Sequence, residues 1–147
     1  VDVLSFGGTK NGLMMAEAVV VFDRAKTDGY RFLRKQMMQL VSKHRFLSAQ
    51  FLAYLTDDLY LKNAKAANHA CHLLAEALKE ENMPLVNPDS YANILFLDVD
   101  DAFVQRLAQS YPLHSEGGHL RMVTSFDTTK EDVDDIMQAV QNAKNDK

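Results

Sequence analysis

The chain has 147 residues, 47% of them hydrophobic, which suits one domain, or one small domain plus a strand pair belonging to another, with enough apolar material for a core. A net charge of −4 argues against a nucleic-acid partner, which favours clustered Lys and Arg, and no apolar run approaches the ~18–20 residues that cross a bilayer. A single cysteine, Cys71, excludes an internal disulfide and suits a reducing cytoplasm.

Residues 1–6 and 16–22 read as two strands. Between them lies Ser5-Phe6-Gly7-Gly8-Thr9-Lys10-Asn11-Gly12, a glycine-flanked turn. Glycine admits positive φ and lets backbone or a ligand approach without a Cβ clash. An amine held at such a turn, Lys10, can bond covalently to an aldehyde cofactor. The same residues also suit a solvated lysine in a hairpin loop. Asn11 and Gly12 are read as shaping the loop.

Asp23 is a candidate N-cap for a helix over 24–38, weakened in its middle by Gly29. A second helix is expected over 44–55, and the longest over 57–81. The apolar stripe of the longest helix is Ala67, Ala70, Cys71, Leu74, Ala77 and Leu78, at three-four spacing. Thr56, Asp57 and Asp58 supply its cap and acidic first turn. Pro84 and Pro88 end it. Residues 94–99 form a strand, and Asp100 caps a short helix holding Phe103, Val104, Leu107 and Ala108. Gly117-Gly118 turns the chain into a strand over 119–125. Thr128 and Glu131 make a capping-box pattern before a last helix with Val133, Ile136, Met137 and Val140 on one face. Met14-Met15 and Met37-Met38 are expected in a core or a subunit interface.

Three features allow chemistry or its absence. Arg121, on the strand after the Gly-Gly turn, can grip a carboxylate through two parallel hydrogen bonds; the bland alternative is a strand arginine paired with Glu116 or Asp127. Arg34, Lys35 and Arg45 form a basic cluster that suits a phosphate or carboxylate, or simply a solvated helix face. His69 and His72 lie one helical turn apart, but nothing on that face completes a metal set, so a solvated surface is expected and no metal.

Residues 2–22 resemble the lysine region of the threonine aldolase family, within the pyridoxal-phosphate enzymes of fold type I. Arg34-Lys35 with Ser42-Lys43-His44-Arg45-Phe46-Leu47-Ser48-Ala49-Gln50, the helix from Asp57 to Glu81, and Leu120-Arg121-Met122-Val123-Thr124-Ser125-Phe126-Asp127 agree in order and spacing. The resemblance covers essentially the whole chain. It implies an α/β to α+β fold: 1–22 as the end of a cofactor-binding large domain, 23–56 as connecting helices, and 57–147 as a small C-terminal domain with helices on a short, mainly antiparallel sheet. It implies pyridoxal phosphate on Lys10, with Thr9 and Arg45 as further cofactor contacts. Arg121 and Lys35 would bind substrate.

The implied reaction is cleavage of a threonine-like β-hydroxy amino acid to glycine and an aldehyde. The implied assembly is a homodimer or homotetramer. Family members are much longer, so the chain looks like a C-terminal part. The missing N-terminal part would carry the ring-stacking aromatic or His, the Asp for the pyridine nitrogen, and the base for the β-hydroxyl. As a fragment it is expected to be inactive. One departure stands out: many threonine aldolases have a Gly-Gly-Gly-Met-Arg-Gln run where this chain has Val41-Ser42-Lys43-His44-Arg45-Phe46. The alternatives are another pyridoxal-phosphate β-eliminating lyase, or a non-catalytic α+β interaction module.

Overall fold

The computed structural model describes residues 1–145. It divides into two compact units, Val1–Lys62 and a second that begins at Asn63.

The first unit opens with β1 (Val3–Gly7) and β2 (Glu17–Val21), paired antiparallel from Val3 opposite Val21 to Gly7 opposite Glu17. A short 3-10 turn over Thr9–Asn11 follows β1. An isolated two-stranded hairpin is marginal in water. Here Phe6 of β1 meets Phe51, Tyr54 and Tyr60 with ring centroids 6.2, 6.0 and 6.0 Å away. Such rings bury large areas and favour tilted and edge contacts, so a few of them can hold a small assembly together. Tyr54 is 1% exposed.

The expected helix over 24–38 is not continuous. Asp23 caps only a 3-10 turn, Arg24–Lys26, accepting from the Ala25 amide at 3.0 Å. Gly29 then takes the left-handed conformation, φ 77°, and α1 runs only over Tyr30–Gln36. The reason is local: a left-handed residue cannot sit inside a right-handed helix. Helix α2 spans Arg45–Leu55. The expected cap at 56–58 is instead a 3-10 turn in which Asp57 and Asp58 have φ of 50° and 56°. Helix α3 therefore begins at Leu59 and runs to Glu80, without acidic residues in its first turn.

Many large apolar side chains of the first unit face outward, among them Met14 at 88%, Met38 at 85%, Leu52 at 72% and Phe22 at 61% exposed. The methionine pairs thus lie outside any core of this chain.

The second unit holds the continuous core. Its sheet has the order β3 (Ile94–Leu97), β5 (His119–Val123), β4 (His114–Glu116), all antiparallel. Leu95 faces Met122 and Leu97 faces Leu120, so these four share one pleat face and all are buried. They meet Cys71, Leu74 and Leu78 from α3, Phe103 and Leu107 from α4 (Asp101–Leu107), and Val133, Met137 and Val140 from α5 (Lys130–Asn145). The other face carries His119 and Arg121, both half-buried. Strand β4 was not expected; a three-residue edge strand has too little alternation to read.

The outer edge of β3 is covered by the chain after α3, through the bridge of Leu85 to Leu97 and bonds from Val86 N to Phe96 O and Asp98 N to Pro84 O. Asp100 caps α4, accepting from Phe103 N at 2.7 Å. The capping box of α5 lies one residue later than expected. Thr129 Oγ1 accepts from Asp132 N, and Asp132 Oδ2 accepts from Thr129 N at 2.8 Å. Thr128 instead closes the preceding turn by accepting from Ser125 N. Residues 146 and 147, part of the expected fraying end, lie outside the described residues.

Leu78 has no exposed surface. Its replacement by Ala should cost about 2–5 kcal/mol in urea unfolding, because the helix–sheet layer cannot close the gap. Hydrogen bonds from the Thr129 amide and hydroxyl hold the Asp132 carboxyl below its ordinary value. The sign follows: this cap supports the fold fully above the ordinary carboxylate range and is lost as pH falls through the lowered value. Asp132→Asn should therefore flatten the acid limb of a thermal-stability profile relative to the unaltered protein.

Candidate functional site

The turn bearing Lys10 is built from close backbone contacts. Gly8 donates to the Ala16 carbonyl at 3.0 Å, and its own carbonyl accepts from Asn11 N at 3.0 Å and Leu13 N at 3.1 Å. A Cβ on Gly8 would lie 2.3 Å from Leu13 Cδ1 and 2.9 Å from the Ala16 carbonyl oxygen, so only glycine fits. The Thr9 hydroxyl accepts from Ala16 N at 3.1 Å and reaches the Ala16 carbonyl at 3.4 Å, while Thr9 N donates to Glu17 Oε1 at 3.3 Å. Thr9 is therefore a brace across the hairpin. Lys10 is exposed, and among the described residues it has no hydrogen-bond or ion-pair partner. A rigid loop with one unengaged amine at its tip fits a lysine that must reach a carbonyl carbon.

Lys35 lies in the last turn of α1 and is exposed. Arg45 opens α2, its guanidinium 4.9 Å from the centre of the Phe46 ring. Lys43, His44 and Arg45 thus gather at the start of an eleven-residue helix with no acidic residue in its first turn. The amides of Phe46, Leu47 and Ser48 are already bonded to the Lys43 and His44 carbonyls, so what favours an anion at this end is the helix dipole together with the Lys43 and Arg45 charges. The Nδ1 of His44 is buried with no hydrogen-bond partner among the described residues.

Arg121 is in the second unit. It faces His114 across the β4–β5 ladder, and its Nε lies 3.3 Å from Glu116 Oε2. Of the two partners considered from sequence, Glu116 is the one found. Asp127 instead accepts from the Ser125 hydroxyl. Arg121 lines a cavity of about 250 Å³ with Tyr111, Leu113, Thr124, Thr128 and Asp132. Glu116 lies against the Nε side of the guanidinium, a group whose planar donors suit a carboxylate.

His69 and His72 border a second, open cavity of about 480 Å³ with Glu76, Lys79, Asp89 and Tyr91. Among the described residues no three His, Cys, Asp or Glu are placed to share a metal. Cys71 is buried, which pushes its thiol up, and a hydrogen bond with Thr124 opposes this only in part. A thiol held protonated is inert. No helix among the described residues is long and apolar enough to cross a membrane.

The structure thus sets Thr9 and Lys10 in one turn and places Lys35 and Arg45 at the end of α1 and the start of α2. What sequence reasoning missed is how the turn is held. Asn11 bonds to Tyr54 and Tyr60, and Met15 to Gln50. These partners are 43, 49 and 35 residues apart, so no local pattern announces them. Gly8→Ala should distort the turn and cost about 1–3 kcal/mol in chemical unfolding, a cost that an equivalent change at the open Gly117 position would not incur by crowding.

No protein-family model matches the chain. It is 37% identical over 145 residues to the low specificity L-threonine aldolase of Pseudomonas aeruginosa, covering 95% of this chain and 41% of that protein. To the low specificity L-threonine aldolase of a Pseudomonas sp. it is 36% identical over 133 residues, covering 87% of this chain and 38% of that protein. The chain therefore spans about two fifths of the length of these relatives. Its fold is that of the threonine aldolase of Leishmania major, with a TM-score of 0.82 at 23% identity, over 96% of this chain and 43% of that one. Along nearly its whole length the chain is a homologue of these two low specificity L-threonine aldolases, and it shares the fold of the Leishmania major enzyme.

Proposed function

We propose that this chain provides the cofactor lysine and the substrate-carboxylate arginine of a pyridoxal-phosphate-dependent lyase. The enzyme would cleave a threonine-like β-hydroxy amino acid to glycine and an aldehyde. The observation that carries this reading is the rigid, glycine-packed turn that presents Lys10 with its amine unengaged. The kinship with threonine aldolases supports it.

When bound, the cofactor supplies an electron sink for the carbanion left as the Cα–Cβ bond breaks. Lys10 would hold it covalently through its side-chain amine. Arg45, at the basic start of α2, would contribute charge to hold the phosphate. Thr9 has the smaller share, since its hydroxyl meets a phosphate only by trading its Ala16 carbonyl. Arg121 would take the α-carboxylate through its guanidinium, which has Glu116 Oε2 3.3 Å from its Nε, and Lys35 would be a further substrate contact. The base that removes the β-hydroxyl proton is assigned to no residue of this chain.

The chain spans only part of its relatives, so turnover is proposed for the whole enzyme and not for these residues alone. The outward-facing Met14, Met38, Leu52 and Phe22 fit this view, because a surface so apolar is more stable covered. We propose that the remainder of the enzyme and sister subunits of a homo-oligomer cover it. The lone, buried thiol suits a cytoplasmic setting.

In the whole enzyme, borohydride should fix a pyridoxyl group on the Lys10 peptide, and Lys10→Ala should abolish both visible absorbance and labelling. A tag on another residue, or none, rejects the reading; a colourless protein would favour a non-catalytic module. Arg121→Ala should weaken amino-acid binding by about 2–5 kcal/mol, seen as a raised KM. An unchanged KM removes Arg121 from the site.

A further inference from the structure

Asn11 follows Lys10 directly, yet its side chain points away from the tip of the turn. Its nitrogen donates to the Tyr54 hydroxyl and, at 3.0 Å, to the backbone carbonyl of Tyr60. A carbonyl can only accept, so the atom facing it is the amide nitrogen, and the hydroxyl oxygen of Tyr54 accepts the second N–H. Tyr54 is 1% exposed, with the rings of Phe6, Phe51 and Tyr60 centred 6.0, 6.4 and 5.8 Å from its own. Its hydroxyl is therefore a fixed post rather than a swinging arm. At the far end of the turn, Met15 N donates to Gln50 Oε1 at 3.1 Å. Gln50 and Tyr54 lie four residues apart on α2, one above the other on the same face.

We propose that Asn11 is a positioning residue for Lys10, tied by its side chain to Tyr54 on α2. The inference rests on Lys10 being the cofactor lysine. The flexible lysine stem starts from its Cα, so the peptide that joins Lys10 to Asn11 sets where the amine can go. That peptide is held twice: Asn11 N bonds to Gly8 O, and the Asn11 side chain bonds to Tyr54 and Tyr60. A displacement of an ångström at a reacting group lowers a rate by orders of magnitude, whereas substrate binding through other residues is unaffected. The Tyr54 hydroxyl thus governs the placement of the amine without touching cofactor or substrate.

The test compares the whole protein with Tyr54→Phe, Asn11→Ala and the double variant. Tyr54→Phe removes one oxygen and keeps the ring, so the aromatic cluster stays packed. In cofactor-free protein, amide hydrogen exchange of the segment 9–15 should quicken about tenfold in each single variant and no further in the double, with β3 and α5 unchanged. In the loaded enzyme, kcat should fall about tenfold while KM stays within about twofold. Unchanged exchange in the segment 9–15, or additive quickening in the double variant, overturns the anchor. Faster exchange with kcat unaltered overturns the positioning role. An untagged Lys10 after borohydride treatment of the unaltered protein overturns the cofactor reading and the positioning role with it, by a measurement independent of exchange.

Discussion

The structure turns on the close approach at Gly8. Its missing side chain lets the Ala16 carbonyl and Leu13 come within the space a Cβ would fill. That contact closes the hairpin tightly enough for Thr9 and Glu17 to lace its two strands. Lys10 then stands at the tip with its amine free, while Asn11 reaches back to the aromatic cluster. The placement of the lysine amine depends on this turn having one shape, because a long, flexible side chain gains precision only from a fixed origin.

The two units are stabilised differently. The second buries a continuous layer of helix and sheet side chains, with Leu78, Leu97 and Val140 wholly enclosed. The first has one buried ring, Tyr54, within a small group of aromatics, and leaves methionines and leucines facing outward. A unit with so little interior of its own relies on what covers it. It is also the unit that carries Lys10, Lys35 and Arg45. The lysine proposed to hold the cofactor thus lies on the unit with the less interior of its own.

Arg121 shows how one contact can serve two readings. Its bond with Glu116 looks like an ordinary cross-strand ion pair, worth little at a surface. The same pair sits on a half-buried guanidinium that lines a cavity. The pair orients the group; it does not use it up.

From sequence alone, the strand–turn–strand around Lys10, the stripe of α3, the strand at 94–97 and the amphipathic face of α5 were legible, since each follows from local periodicity or glycine placement. Short-range competition blurred what remained local. Gly29 broke a helix by adopting positive φ, Thr129 rather than Thr128 took the cap, and β4 was too short to show alternation. Residue types announced Lys10 and Arg121, but not their settings. Only the tertiary structure decided that Glu116 holds Arg121, that Thr9 braces its hairpin, and that Asn11 is tied to Tyr54. Periodicity reaches a few residues along the chain, whereas the Asn11–Tyr54 bond spans 43 and exists only once the chain has folded back on itself.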